Sequence, residues 1–181
     1  MKKLIILTVS LLFANLVSGQ KYSSKIGKVT FEASVPLFED VFAQDDNSIV
    51  VLNADTGDIA SVSAVKNLHI KVKLMEEHFN ESYAETAKYP KTTFSGKVLN
   101  FDKTKLTANP QKYNIQGTLN FHGVDKAYTS GATIYVKDGK IYISGSFVAK
   151  SADHKVTIPK MVTKKVAENV NVQYDYILSK Q

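Results

Sequence analysis

Alternation of apolar and polar residues is the feature that most constrains the fold of this chain. It is clearest in residues 113–121, where Tyr113, Ile115, Leu119 and Phe121 alternate with polar side chains. A strand with one buried face and one solvated face produces this period of two. The sequence contains about eight strand-like segments of this kind, at residues 29–35, 49–52, 68–74, 92–98, 113–121, 127–136, 141–147 and 170–178. We therefore predict an all-β, antiparallel protein.

Short turns separate these segments and favour a meander, in which strands adjacent in sequence pair in space. Asn53–Gly57 closes one strand, and Asp138-Gly139 is a strong hairpin signal. Eight strands can close into a barrel that holds one small ligand or is filled by side chains. They can also form a flattened sandwich, and the alternation fits both architectures.

One segment has helical instead of strand-like spacing. Met75, Phe79 and Tyr83 recur every four residues, with charged residues between them. Pro90 disfavours helical geometry in the residue before it. The pattern predicts an amphipathic helix over Leu74–Lys88 that buries the three apolar residues.

A second, shorter helix is predicted over Pro159–Ala167. Proline suits the first position of a helix. Met161, Val162 and Val166 would give this helix one apolar side.

The first nineteen residues have the pattern of an export signal. Lys2 and Lys3 precede the mostly apolar run Leu4–Val17, and small residues stand just before Gln20. The run is shorter than the roughly 20 apolar residues that span a bilayer. We therefore expect a cleaved signal peptide at residues 1–19, one domain at residues 20–181, and a periplasmic or secreted protein.

Composition excludes several classes of function. The chain has no Cys, which excludes disulfides, thiolate metal sites and cysteine nucleophiles. The net charge of +6 is modest and spread along the chain, so it fits either transient contact with an anionic membrane surface or an ordinary solvated surface. No block of Lys and Arg interleaves with aromatic residues, so we expect no nucleic-acid partner.

Motifs that carry catalysis or bind metals are missing from the sequence. His69, His78, His122 and His154 do not have the spacing of zinc ligands. There is no nucleophile elbow and no glycine-rich phosphate loop. The carboxylates between Glu76 and Glu85 are expected to face solvent. The sequence thus favours a binding protein over an enzyme, with no catalytic residue and no metal.

Four stretches, taken in order, resemble the YceI-like family of bacterial secreted proteins. Gly57-Asp58-Ile59 opens a strand that continues to Ile70, and the helix ends in Lys88-Tyr89-Pro90 before a strand containing Phe94. Gly117–Lys126 ends in a Gly-Val-x-Lys turn, and Phe147–Pro159 contains Asp153 and Ile158-Pro159. The chain departs from the family pattern at His154-Lys155, where an aromatic residue and Gly are usual, and after Gly123, where the family usually has a Pro and this chain has Ala127-Tyr128.

The resemblance implies an extended, lipocalin-like, antiparallel eight-stranded barrel around a long apolar tunnel. In the family this tunnel is associated with polyisoprenoid chains such as isoprenoid quinones, so we expect a bound lipid and no other cofactor. Inward-facing aromatic residues either line such a tunnel or fill it, and the resemblance favours lining. The candidate ligand-binding residues are Phe31, Phe94, Leu119, Phe121, Ile143, Phe147, Val172 and Tyr174. Gly117 and Gly145 lie on the same faces, where we expect a substituted Trp to project into the tunnel.

Two functional hypotheses follow from these patterns. The first is a periplasmic or secreted protein that holds an isoprenoid quinone or a polyprenyl lipid. The second is a structural or stress-related envelope module, or a binder of another small amphiphile, without lipid carriage.

Overall fold

A closed, antiparallel, eight-stranded barrel forms the body of the protein. The computed structural model describes residues 20–160 and 164–181. Apart from the two-residue strand His69–Ile70, strands adjacent in sequence pair with one another, and the first strand, Lys21–Glu32, pairs with both the second, Phe42–Asn53, and the last, Asn169–Lys180. The predicted barrel and its meander are therefore confirmed. The strands are β1 Lys21–Glu32, β2 Phe42–Asn53, β3 Asp58–Ala64, β4 His69–Ile70, β5 Lys91–Val98, β6 Gln111–Phe121, β7 Val124–Lys137, β8 Lys140–Lys150 and β9 Asn169–Lys180.

The pairing of β1 with β2 closes the barrel. It runs from Lys21 opposite Asn53 to Glu32 opposite Phe42, with register shifts on both sides of Gly27. Such irregularities bend a strand and increase its twist, as closure of a small barrel requires. The two-residue strand β4 does not add to the barrel wall, because it pairs only with Ala43 and Gln44 of β2.

Two separate apolar clusters divide the interior. The larger one, which we call the lower core, fills one end of the barrel and consists of Val50, Leu52, Ile59, Val98, Ile115, Ala132, Ile134, Ile141, Ile143, Tyr176 and Leu178. The smaller one, the upper core, lies at the other end and consists of Ala43, Val65, Leu68, Ile70, Phe79 and Ala84.

The helix of the upper core is shorter than predicted. It comprises α1, Lys73–His78, and a π-helical turn, Phe79–Tyr83. It ends before Lys88 because Glu85 has a φ of 43°, in the left-handed region. The Thr86 hydroxyl donates to Asn80 Oδ1 at 2.8 Å and fixes this turn. Within the described residues, no helix is both long enough and apolar enough to cross a membrane.

The predicted apolar face of the helix does point into the barrel. Phe79 is 9% exposed and packs against Phe31, with ring centroids 5.2 Å apart. Met75 and Tyr83 are partly buried against the same cluster. The helix thus covers one end of the barrel with three side chains spaced by one turn.

The boundaries of several strands differ from the predicted ones. β1 begins at Lys21, ahead of the predicted segment 29–35, and stops at Glu32. The alternation over 68–74 does not form one strand, because a 3₁₀ turn at Val65–Asn67 precedes β4 and Lys73 begins α1. That 3₁₀ turn also interrupts the strand expected to run from Gly57 to Ile70.

The second predicted helix is not present at its described positions. Residues 159–160 and 164–167 form turns, a bend and irregular backbone. Met161 and Val162 lie outside the described residues. A short 3₁₀ helix stands earlier instead, at Ser151–His154.

Replacing Phe79 with Ala should destabilise the protein by about 3 kcal/mol, because it removes the main buried side chain of the helix. Glu81→Ala, at an exposed position two residues later, should change the free energy of unfolding by only a few tenths of a kcal/mol. Urea denaturation followed by circular dichroism measures both. Equal, small effects would contradict the packing of the helix on the barrel.

Candidate ligand-binding cavity

A cavity of about 830 Å³ separates the lower core from the upper core. Its volume lies within the range of roughly 300–1,000 Å³ that is typical of small-molecule sites. Most of the side chains around it are aliphatic or aromatic. They include Val29, Phe31, Leu68, Ile70, Met75, Phe79, Phe94, Ile115, Leu119, Phe121, Phe147, Val170 and Val172. The aromatic residues therefore surround an open space, although other side chains pack one end of the barrel solid.

Seven of the eight candidate ligand-binding residues line this cavity. They are Phe31, Phe94, Leu119, Phe121, Phe147, Val172 and Tyr174, and all seven are partly buried. Ile143 is instead fully buried in the lower core, where it pairs with Ile134 and Tyr176. The side chains of Ile143 and Phe147 point to the same face of β8, but they lie at different heights along the barrel axis.

Aromatic rings cover the two glycines that were expected to leave room for a tryptophan. A Cβ atom built on Gly117 would lie 2.6 Å from the ring of Phe94 and 2.5 Å from the Ser95 carbonyl oxygen. A Cβ atom on Gly145 would overlap the Tyr174 hydroxyl and lie 2.6 Å from the Gly131 carbonyl oxygen. The expectation that a Trp at either position projects into the cavity is therefore wrong: glycine is needed there because a ring already occupies the space.

The cavity opens to solvent at the end of the barrel that carries the helix. Its exposed lining residues there include Leu37, Phe38 and Glu39 in the β1–β2 loop, His78 at the end of α1, and Lys150 and Lys165. Leu37 is fully exposed and has a φ of 73°. Sequence patterns did not identify these residues, because loops around an opening have no hydrophobic period.

A buried histidine forms part of the cavity wall near this opening. His154 is 2% exposed, and its Nδ1 lies 3.1 Å from the Val124 carbonyl oxygen and 3.3 Å from that of Phe121. Because carbonyls only accept, Nδ1 carries a proton. The Tyr128 hydroxyl lies 3.0 Å from His154 Nε2, and burial raises the pKa of Tyr128. His154 and Tyr128, which both stand where the chain departs from the family pattern, are thus hydrogen-bonded to each other.

A second histidine joins three segments around the opening. His122 Nε2 lies 2.6 Å from Glu85 Oε2, and its Nδ1 lies 3.0 Å from the His154 carbonyl oxygen. The contacts tie the β6–β7 turn to the end of the helix and to the 3₁₀ segment at Ser151–His154. Glu85, which was expected to be an ordinary solvent-facing carboxylate, is thus a structural partner of His122.

A few polar groups also lie where the cavity meets the lower core. Tyr174 and Tyr176 are stacked, with ring centroids 5.2 Å apart, and burial raises the pKa of both hydroxyls. Ser61, Ser63 and Ser130 line the cavity around them. Among the described residues, no cluster of three or more His, Cys, Asp or Glu side chains could hold a metal ion.

Residues 17–178 match the family model for the YceI-like domain. This match covers most of the chain. The chain belongs to the YceI-like family. No curated protein matches it in sequence.

Solved structures of low sequence identity share the fold. A polyisoprenoid binding domain from Saccharophagus degradans has a TM-score of 0.75 at 14% identity, over 90% of this chain and 99% of that one. BcnA from Burkholderia cenocepacia has a TM-score of 0.69 at 17% identity, over 84% and 96%. The Campylobacter jejuni YceI protein has a TM-score of 0.57 at 18% identity, over 75% and 80%.

Gly145→Ala should lower the free energy of unfolding by about 1–3 kcal/mol, because the methyl group would overlap the Tyr174 ring and the backbone of β7. Gly131→Ala is the matched control, since nothing lies within 4 Å of a Cβ atom built there. Thermal and urea unfolding compare the two variants. If they were equally stable, the ring would not pack on Gly145 as described.

Proposed function

We propose that this YceI-like protein binds a long apolar ligand, an isoprenoid quinone or a polyprenyl lipid, inside the barrel. The observation that carries the proposal is the cavity of about 830 Å³ with its mainly apolar lining. The fold that this chain shares with the polyisoprenoid binding domain from Saccharophagus degradans supports the same class of ligand. Seven of the candidate residues would share the contacts, with Ile143 packing in the lower core beneath them.

Burial of apolar surface would supply most of the affinity. Each Å² of apolar area removed from water contributes about 25 cal/mol, so a long chain gains its affinity from many weak contacts. No single polar side chain then dominates the binding energy. This distribution fits a carrier or holding function, in which the ligand leaves unchanged, better than it fits catalysis.

The alternative is a structural or stress-related envelope module, or a binder of another small amphiphile. A barrel used only as a structural module needs no internal space, and its aromatic residues would pack against one another. The space between the two cores therefore favours ligand binding over this alternative.

The opening of the cavity fits brief contact with a membrane surface during loading. Leu37 and Phe38 expose apolar side chains at this opening, and Lys150 and Lys165 are exposed residues of the same lining. Apolar side chains can enter the boundary of a bilayer while lysines interact with anionic headgroups. Such contact would place the opening next to the lipid pool.

We also propose that residues 1–19 are a signal peptide and that the mature domain begins at Gln20, in the periplasm or outside the cell. Expression of the full sequence in a bacterial host, followed by N-terminal sequencing of the exported protein, should give a chain that starts at or next to Gln20. Membrane-bound protein that retains Met1 would contradict cleavage.

Leu119→Trp should abolish or strongly weaken ligand binding, because Leu119 lines the cavity and the larger ring would occupy it. Equilibrium dialysis with labelled geranylgeraniol measures the affinity. Lys71→Ala, at an exposed position away from the cavity lining, should leave binding unchanged. Absence of saturable binding by the unmodified protein would favour the structural alternative.

A further inference from the structure

A chain of hydrogen bonds leads from a buried carboxylate to the cavity wall. Asp45 on β2 has no exposed surface, and it accepts hydrogen bonds from the Asn47 N–H at 2.8 Å and the Ser48 hydroxyl at 3.1 Å. Ser48 is also fully buried, and its hydroxyl is in short hydrogen-bond contact with that of Ser63. Ser63 on β3 lines the cavity. The barrel wall thus connects a carboxylate to the ligand space through two serines.

The carboxylate fixes the direction of this chain. The Ser48 hydroxyl donates to Asp45 Oδ2, and this bond uses the single proton of that hydroxyl. Ser48 then has only lone pairs for Ser63, and Ser63 must donate to Ser48. Ser63 therefore presents an oxygen lone pair to the cavity, and no hydrogen.

A second polar chain beside the cavity has the same direction. The Ser130 hydroxyl donates to the Ser146 carbonyl oxygen at 2.9 Å, and the Tyr174 hydroxyl lies 2.8 Å from Ser130 Oγ. Since Ser130 has given its proton to a carbonyl, Tyr174 donates to Ser130. Tyr174, which also lines the cavity, is left with a lone pair on its oxygen.

Both chains reach the cavity at its inner end. Val29 of β1 pairs with Asp45 on one side and with Tyr174 on the other. Tyr174 packs against the lower core, whereas the opening lies at the opposite end, beside Leu37 and Lys150. A polar group bound to Ser63 would therefore lie deep in the barrel, and its apolar tail would extend towards the opening.

We propose that the cavity selects an amphiphile whose polar group is a hydroxyl, held head-first with that hydroxyl donating to Ser63 Oγ. This inference rests on the proposed function and narrows its ligand to polyprenyl alcohols and reduced, phenolic quinones. Asp45 is the positioning residue, because it sets the direction of the chain without touching the ligand.

Ser63 and Tyr174 offer no donor to a ligand that can only accept hydrogen bonds. The Ser61 and Tyr176 hydroxyls, which also line the cavity, are hydrogen-bonded to each other. The oxygen of a quinone carbonyl, an ester or an ether would face lone pairs on Ser63 and Tyr174. A buried acceptor without a donor loses its hydrogen bonds to water and gains none in return. A buried site that accepts a hydrogen bond from a ligand hydroxyl rejects analogues without that hydroxyl more strongly than a site that selects only by size.

The test compares geranylgeraniol with its methyl ether, which has the same tail but no donor. Equilibrium dialysis on the unmodified protein should show the alcohol binding about tenfold more tightly, as expected for one buried hydrogen bond. Ser63→Ala should remove this preference by weakening the alcohol alone. Ser151→Ala, which removes a hydroxyl lining the opening, is the matched control and should leave the preference intact.

Asp45→Asn tests the direction of the chain. An amide can donate to Ser48, which allows Ser48 to donate to Ser63 and Ser63 to donate into the cavity. The preference for the alcohol should then shrink or reverse, with little change in cavity size. Circular dichroism establishes that each variant is folded, and Ser63→Ala remains decisive if Asp45→Asn does not fold.

The outcomes separate this inference from the proposed function. If neither prenyl compound binds, both are overturned. If both bind with equal affinity, or if Ser63→Ala weakens both equally, ligand binding stands and selection by the hydroxyl is overturned. Loss of the preference in Ser151→Ala instead of Ser63→Ala would place the polar group at the opening and overturn the head-first orientation.

Discussion

The pairing of β1 with β2 is the interaction on which the rest of the structure depends. It converts a meander into a closed wall whose strands satisfy one another's backbone hydrogen bonds. A wall of this kind keeps its shape without a completely filled interior. The barrel can therefore be solid around Ile134 and Leu178 and hollow above them, with the helix packed over the hollow end.

The two ends of the cavity have different chemistry. The opening is bordered by loops, lysines and exposed apolar side chains, and His122 and His154 tie its segments together. At the inner end, the hydroxyls of Ser63 and Tyr174 are hydrogen-bonded to serines of the barrel wall. Under the proposed function, the apolar middle would bind the tail of the ligand and the polar inner end would orient it. Selection would then be weak along the length of the cavity and specific at one point.

The sequence predicted the elements whose own side chains determine them. Alternation over 113–121 identified β6, and four-residue spacing placed Phe79 on the inner face of the helix. Alternation gives the facing of a residue but not its height in the barrel, so it could not distinguish Ile143 in the core from Phe147 beside the cavity. The early end of the helix depends on Glu85 and its contact with His122, which is 37 residues away in sequence. The chain from Asp45 to Ser63 joins two strands through side chains that have no local pattern.

The rings that cover Gly117 and Gly145 bear on how this family diverges. The aromatic ring fills the space that a side chain at the glycine position would need, so a change of size at one position requires a change at the other. A larger residue at 117 would require a smaller one at 94, and the same exchange links 145 with 174. In proteins that share this fold at 14–18% identity, the barrel would therefore be preserved less by single retained residues than by such paired exchanges of size across neighbouring strands.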